Sequence, residues 1–247
     1  MTNRDSFEPV IEHGLRMGFS VLAKKELKEW FGTKTWWQQA LLWSAILGLF
    51  GSVGLQDPEM GLNIFVLMAM IFPSIATIII AHEGILEEKR SGSAEWVLSK
   101  PVSRESFLLS KFISVALGFS VSMILIPEMV VYLETSLFGT APDFLVYLAS
   151  LVPLMLWQIF LAFLTICFGV FFDEPGPVMA LPFIFVFLGA NLGQLPVYGE
   201  LGPWGLFRIS LALLSGEYYP FTPVLITLVV YCVLVVLAIW RFKRHEF

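Results

Sequence analysis

Residue patterns that could support catalysis are few in this sequence, and none forms a complete catalytic set. His82 and Glu83 begin a zinc-protease HExxH pattern, but Leu86 occupies the position of the second histidine. No GxSxG nucleophile elbow occurs. No glycine is followed by lysine, so the chain lacks a P-loop for nucleotide phosphates. The sequence therefore predicts no catalytic residue, no metal site and no directly bound cofactor.

The long apolar runs contain some polar residues, and three of them are candidates for a functional role. Glu128 follows Pro127 toward the end of one run, and Asn191 and Gln194 lie in another. In a membrane, a buried carboxylate is costly and often marks a translocation path, although a residue near a helix end can also reach the interface. The two amides can line a path or hydrogen-bond neighbouring helices. All three are candidates for a translocation path, and both interpretations stay open.

The composition indicates what kind of protein must position these residues. Hydrophobic residues make up 57% of the 247 residues and charged residues only 14%, and the mean hydropathy is +0.79. Soluble domains carry roughly 25% charged residues, and a soluble chain this apolar would aggregate. The net charge of −5 argues against a nucleic-acid partner, which requires a basic surface. The sequence predicts an all-α membrane protein.

Six apolar runs predict six transmembrane helices, because hydrocarbon requires about 20 apolar residues whose backbone groups are bonded within the helix. The predicted spans cover about residues 36–55, 61–81, 107–133, 146–172, 178–195 and 223–240. They form one transmembrane domain (residues 36–241) between an N-terminal segment (residues 1–35) and a short tail (residues 242–247). Of the 15 lysines and arginines, all except Arg208 fall on one side of this arrangement. This asymmetry predicts a multi-pass protein of the cell membrane with both termini cytoplasmic.

The N-terminal segment is predicted to form a helix over Val10–Phe31 that is too polar to insert. One broad face is apolar, whereas a second face is basic, with Lys24, Lys25 and Lys28. Glu26 and Glu29 interrupt the apolar face, which contains Ile11, Leu15, Phe19, Leu22, Ala23 and Trp30. The pattern favours an amphipathic helix that lies in the membrane interface. The alternative is a solvated charged arm.

Two further segments join predicted spans without crossing the membrane. The loop His82–Ser106 has a turn signal at residues 91–93, which predicts a short helix over Ser93–Ser99 that ends before Pro101. Ser103 is then a suitable N-cap for the third span. Between spans five and six, glycine and proline delimit an apolar stretch over Trp204–Leu214 that is too short to span. This stretch is predicted to be re-entrant or interfacial.

Two of these segments also carry sequence motifs. The run LAKKELKEWF (Leu22–Phe31), followed by EEKRSGSAEWVLSKPVSRESFLLSK (Glu87–Lys111), resembles permeases of the type-2 ATP-binding-cassette (ABC-2) exporters. Trp96 and Val97 depart from that family's pattern, which has small or aliphatic residues ahead of Leu98. The matching positions are Glu88, Ser91, Gly92, Ser93, Glu95, Leu98, Ser99, Pro101, Val102, Ser103, Arg104 and Lys111.

The resemblance implies a mechanism and a set of partners. It implies a connecting helix with Lys24, Lys25 and Glu26, and a coupling helix seated on a separate ABC ATPase. Two ATPase copies would bind the ATP and Mg, and a second permease copy or a sister permease would complete the transporter among membrane lipids. The residues implied to couple to the ATPase are Glu87, Glu88, Ser93, Glu95, Trp96, Leu98, Pro101 and Arg104.

Two other function classes remain open alongside the permease. The first is a membrane enzyme that acts on lipid-linked groups, although the sequence contains no catalytic set for it. The second is a non-transporting assembly factor that acts on cofactor precursors and uses the same loop to recruit a partner. For a permease, the phenylalanine-rich spans, which have few charged residues, favour an amphipathic or apolar substrate.

Overall fold

The protein is described by a computed structural model that covers residues 18–52, 58–100, 102–192 and 195–244. These residues form eleven α-helices and one π-helical segment (Ser120–Leu125), and they contain no β-strand. The π-helical segment joins α5 to α6 without a break, next to Pro127, which cannot donate a hydrogen bond to the preceding turn. The helices are α1 (Phe19–Gly32), α2 (Thr35–Gly51), α3 (Pro58–Arg90), α4 (Ser93–Leu98), α5 (Arg104–Phe119), α6 (Ile126–Leu137), α7 (Phe144–Phe171), α8 (Pro175–Leu192), α9 (Pro196–Leu201), α10 (Gly205–Ser215) and α11 (Thr222–Lys243).

The long helices run between two ends of a bundle. We call the end that contains α4 and the C-terminal ends of α3 and α11 the basic end. There, Lys111 of α5 meets Glu26 of α1, and Lys89 of α3 meets the C-terminal end of α7. At the opposite end, Tyr147 of α7 bonds Glu128 of α6. Neighbouring elements therefore traverse the bundle in alternating directions.

Within the described residues, four helical stretches are long and apolar enough to cross a membrane: Leu62–Arg90, Arg104–Leu137, Phe144–Phe171 and Thr222–Lys243. They correspond to predicted spans two, three, four and six. The helices at the positions of spans one and five, α2 and α8, are shorter. Helix α2 has 17 residues, about 25 Å, slightly less than the ~30 Å hydrocarbon layer. Six spans therefore stay a prediction.

Helix α7 is the centre of the fold and packs against α3, α5, α8, α10 and α11. In its most apolar window 61% of the residues are buried, compared with 22% for the peripheral α11. A close approach to α3 is possible because Gly169 has no side chain. A Cβ atom at this position would lie 2.1 Å from Cγ2 of Ile85. The glycine therefore lets the two helices touch.

A buried polar cluster also joins α3 to α7. The Trp157 indole N–H donates to the Ser74 hydroxyl at 2.9 Å, and Thr77 donates to the side-chain oxygen of Gln158 at 2.9 Å. The Gln158 amide donates to the carbonyl of Met70 and to the Ser74 hydroxyl, both at 3.3 Å. Pro73 has no backbone N–H and therefore removes one backbone hydrogen bond of α3 nearby. The polar side chains supply additional hydrogen bonds where the helix lacks this one.

The short elements match several sequence predictions. Helix α4 occupies nearly the whole range predicted for it, and the Ser103 hydroxyl caps α5 by accepting from the N–H of Ser106 at 3.0 Å. Helix α10 falls on the predicted apolar stretch Trp204–Leu214, whereas α9 was not predicted. Helix α1 covers the second half of the predicted Val10–Phe31 helix, and residues 10–17 lie outside the described ranges.

Helix α3 is longer than the predicted second span. The span was expected to end near Ala81, and α3 continues for another nine residues to Arg90. Most of these residues belong to types that favour helices, among them glutamate, lysine and arginine. Glu88 pairs with Lys111 of α5, and Lys89 and Arg90 pair with acids in the turn between α7 and α8. The predicted loop His82–Ser106 therefore begins with a helical extension of α3.

Candidate functional site

Helix α4 with its flanks, residues 87–104, forms the candidate site, which we call the coupling region. A left-handed residue, Gly92 at φ 70°, turns the chain between the end of α3 and the start of α4. A second turn after α4 is closed by the N–H of Lys100, which donates to the carbonyl of Val97 at 3.1 Å. The short helix is thus held between two tight turns at the basic end.

The two faces of α4 differ in burial. Ala94 is fully buried, and Val97 and Leu98 pack against the hydrophobic core. Glu95 and Trp96 point away from the bundle, and Trp96 is 64% exposed. The Lys100 ammonium lies 3.3 Å from the centroid of the indole ring, so the exposed face combines an aromatic surface with charges of both signs.

Below α4, a charge cluster joins three helices. The amine of Lys111 on α5 lies 2.8 Å from the Glu88 carboxylate on α3 and 3.2 Å from the Glu26 carboxylate on α1. Only 8% of the Lys111 side chain is exposed. Breaking such a buried pair by removing one partner typically costs several kcal/mol, so the cluster fixes α1 against α3 and α5. Glu26, which interrupted the apolar face in the sequence, is one of its two acids.

The start of α5 is bonded to the last helix. The Arg104 guanidinium donates to the carbonyls of Phe242 and Lys243, at 3.2 and 3.0 Å, in the last turn of α11. Glu105 forms an ion pair with Lys243. Phe107 stacks on Phe242 with ring centroids 5.5 Å apart. The Arg104 side chain therefore caps another helix of the same chain.

The end of α3 is bonded in the same way to the turn between α7 and α8. Lys89 donates to the carbonyls of Gly169 and Phe172 at 3.2 and 3.3 Å, and it pairs with Asp173 at 2.5 Å. Arg90 donates to the carbonyl of Asp173 at 3.1 Å and lies 3.7 Å from Glu174. Together these contacts connect the coupling region to α1, α7 and α11.

The structure separates the predicted coupling residues into two groups. Glu87, Glu95 and Trp96 are exposed, whereas Leu98 packs inward and Glu88 and Arg104 hold helix ends together. Ser93 starts α4 and bonds Ser91 through its hydroxyl. Among the predicted connecting-helix residues, Lys24 and Lys25 are exposed. Pro101 lies outside the described residues.

Sequence reasoning did not assign structural roles to the residues that bond the coupling region to the bundle, namely Lys89, Glu105, Lys111, Asp173 and Lys243. A partial signal was present, because each carries a charge on the predicted cytoplasmic side of the spans. Their pairing could not be inferred, since Lys243 and Glu105 stand more than a hundred residues apart in the sequence.

The candidates for a translocation path are located differently. Glu128 is fully buried, accepts a hydrogen bond from the Tyr147 hydroxyl at 2.7 Å, and its other oxygen has no partner among the described residues. It lies just after the π-helical segment, a type of distortion that is frequent at functional sites. Asn191 belongs to the last turn of α8, but its side chain and Gln194 lie outside the described part of the chain.

In the described part of the chain, no three His, Cys, Asp or Glu residues form a group that could hold a metal ion.

Comparison with known proteins identifies the family. No curated protein matches the sequence. The family model described as "ABC-2 family transporter protein" matches residues 17–200, a range that includes the coupling region and all of α1 to α8. The chain therefore belongs to the ABC-2 transporter family, and it is a membrane permease subunit of an ABC transporter.

Proposed function

We propose that this permease moves an amphipathic or apolar substrate out of the cell by alternating access. Two ABC ATPase subunits would supply the energy by binding and hydrolysing ATP with Mg. A second permease copy, or a sister permease, would complete the transporter in the cell membrane. The observation that carries this proposal is the exposed Trp96 face of α4, a short helix whose flanking residues Lys89 and Arg104 are bonded to the ends of α7 and α11.

The exposed face of α4 is suited to a protein partner. Tryptophan is enriched among the residues that contribute most to protein–protein binding, because it brings a large apolar area with few rotamers. Glu95 and Lys100 flank Trp96 and can pair with charges on the partner. A partner that binds here would bury the indole, which is otherwise 64% exposed at the basic end of the bundle.

The bonds around α4 offer a route by which movement of the ATPase reaches the long helices. Ala94 is buried where α4 packs on α3, while Arg104 and Lys89 hold the C-terminal ends of α11 and α7. Lys111 holds α1. Displacement of α4 would therefore move four helix ends together, as a rigid-body switch between inward- and outward-facing states requires.

The proposed orientation has six crossings and both termini in the cytoplasm. Helix α2 begins beside α1 at the basic end and ends at Gly51, where an added Cβ would lie 3.0 Å from Val131 of α6 at the opposite end. Helix α8 likewise begins two residues after Asp173. Near its other end, Gly189 lies against the indole of Trp204. Both helices therefore traverse the bundle. Because the lysines and arginines of the described residues, apart from Arg208, lie toward the basic end, that end is expected to be cytoplasmic.

The proposal is tested by purifying the tagged chain from native membranes in mild detergent and identifying its partners by mass spectrometry. We expect an ABC ATPase in equimolar amount. Trp96→Ala should lower its recovery about tenfold, the effect of removing a single strong contact. Trp37→Ala is the matched control, because Trp37 is 40% exposed on another helix and should be neutral.

Two outcomes would contradict the proposal. If no ABC ATPase accompanies the wild-type chain, the exporter function is excluded and an assembly factor becomes the better interpretation. If the ATPase is recovered equally with Trp96→Ala and Trp37→Ala, α4 is not the contact. A third variant, Glu95→Gln, should preserve insertion and reduce ATP hydrolysis coupled to transport.

A further inference from the structure

A cavity of about 240 Å³ lies toward the opposite end of the bundle, between α3, α7, α8 and α10. Its walls are apolar, with Leu67 and Ile71 from α3 and Phe207 from α10. Apolar cavities of about 150 Å³ already bind benzene-sized molecules rather than water. The cavity is therefore large enough for part of an apolar chain, and its lining does not favour filling by water.

Two tryptophans complete the apolar lining because their polar atoms are already bonded. The Trp157 N–H donates to the Ser74 hydroxyl at 2.9 Å, and the Trp204 N–H donates to the carbonyl of Phe185 at 3.3 Å. The Trp204 ring also stacks on Phe185 at 4.6 Å. With both N–H groups bonded, the indoles offer a ligand mainly their ring carbons.

The lining includes two side chains that can recognise a polar group, Asn63 and Arg208. Arg208 is half-buried on α10, and it is the sole lysine or arginine in the sequence between Lys111 and Arg241. A guanidinium is permanently charged and has five N–H donors in a planar fork, so it can bind a carboxylate or phosphate while keeping other contacts. The cavity thus combines an apolar interior with one cationic group.

We propose that this cavity binds an anionic amphiphile, with its apolar chain between the two tryptophans and its acidic head on Arg208. The assignment rests on the proposed export function, since it names the chemical class of the cargo. Charge complementarity argues for this occupant, because an uncharged chain would gain nothing from the arginine and a cationic head would be repelled. Under the proposed orientation, the cavity lies on the non-cytoplasmic half, where an exported substrate would leave.

The test measures binding without any ATPase, so that its failure is distinct from failure of the proposed function. The full chain is placed in nanodiscs of zwitterionic phosphatidylcholine and labelled with palmitate that carries a photoactivatable diazirine in its chain. Cross-linked residues are mapped by mass spectrometry. We expect labelling of Leu67, Ile71 or Phe207, and we expect Arg208→Gln to weaken labelling about tenfold, as for loss of a charge-assisted hydrogen bond.

Four comparisons control this experiment. Arg244→Gln removes a positive charge at the basic end and should leave labelling unchanged, whereas Arg208→Lys should retain part of it. The alcohol that corresponds to the palmitate probe should label the cavity about tenfold less than the acid does. Ile71→Trp should block labelling by filling the cavity; if this variant does not fold, the Arg208 variants still decide the result.

Two results would overturn the proposal. Equal labelling by the acid and the alcohol, or by wild type and Arg208→Gln, would mean that the cavity does not select an anionic head. In either case the co-purification test with Trp96→Ala would be unaffected, because it measures ATPase binding and not ligand binding. Phosphatidylglycerol added to the nanodiscs is itself an anionic amphiphile, so it should compete with the probe and weaken labelling.

Discussion

Lys111 shows at the scale of one residue why a charge can stand near the start of a long apolar helix. Its amine is almost fully buried, yet it faces carboxylates on two other helices at 2.8 and 3.2 Å. The lysine is tolerated because both acids offset its desolvation. The same contacts give the residue its structural effect, since they hold the amphipathic α1 against the bundle.

Replacing this lysine should destabilise the protein more than replacing an exposed one. Lys111→Met leaves Glu26 and Glu88 without their shared cation, and we expect a loss of about 3 kcal/mol. The control is Lys25→Met, whose amine pairs with the exposed Glu29 and should contribute at most about 0.5 kcal/mol. Thermal unfolding in detergent measures both. Equal melting temperatures for the two variants would contradict the assigned role.

Gly189 is a second position where one residue decides local packing. A Cβ atom there would lie 1.6 Å from Nε1 of Trp204, so Gly189→Ala must displace the indole from its site on α8. We expect a cost of about 1–3 kcal/mol and altered tryptophan fluorescence. Gly84→Ala is the matched control, because nothing lies within 4 Å of its added Cβ and alanine favours the helix by about 1 kcal/mol. A neutral Gly189→Ala would mean that Trp204 is not wedged there.

At the scale of elements, α4 depends on the turn that precedes it. Six residues are too few for a stable isolated helix, so the two turns and the packing of Ala94 hold α4 in place. Gly92 adopts φ 70°, a left-handed conformation in which an ordinary residue is strained by about 1–2 kcal/mol. No atom would contact a Cβ at this position, so the cost of a substitution is purely conformational.

This conformational cost predicts a graded effect on partner binding. Gly92→Ala should tilt or loosen α4 and reduce ATPase recovery, whereas Gly92→Asn should recover most of it, because asparagine tolerates left-handed backbone. Co-purification with the ATPase measures the effect, and circular dichroism checks that the bundle remains helical. If alanine and asparagine behave alike, backbone conformation at this turn does not control the contact.

At the scale of the whole molecule, the bundle has one charged end with several interhelical bonds and one end that is nearly free of basic residues. The coupling region is bonded to α1, α7 and α11 at the charged end. The apolar cavity and α10 lie toward the other end. Such an arrangement separates the surface that we propose to bind the ATPase from the cavity that we propose to bind an amphiphile.

Cysteine labelling can test the number of crossings. On a Cys232→Ala background, six spans predict that Thr33→Cys and Ser99→Cys react with an impermeant maleimide only after the membrane is opened. Thr140→Cys and Glu217→Cys should react in intact cells. All four positions are exposed. If α2 and α8 did not cross, Thr33→Cys would react in intact cells and Glu217→Cys would be protected.

Much of the helical architecture could be predicted from the sequence, because helix formation and hydrophobicity are local properties. Apolar runs, prolines and caps located α7, α11, α4 and the Ser103 cap within a few residues. The motif around Glu95 and Arg104 was enough to indicate the family. The second span was predicted to end near Ala81, where charged residues begin, and α3 continues through these residues to Arg90.

The sequence by itself determined that the chain is helical and apolar, and that one loop carries the motif of an ABC-2 permease. Only the tertiary structure decided which charges meet: Glu26 with Lys111, and Arg104 with the end of α11. It also brought Arg208 to a cavity lined by residues from α3, α7 and α8. These contacts join residues distant in the sequence, and their positions depend on how whole helices pack. No local pattern of residue types encodes that packing.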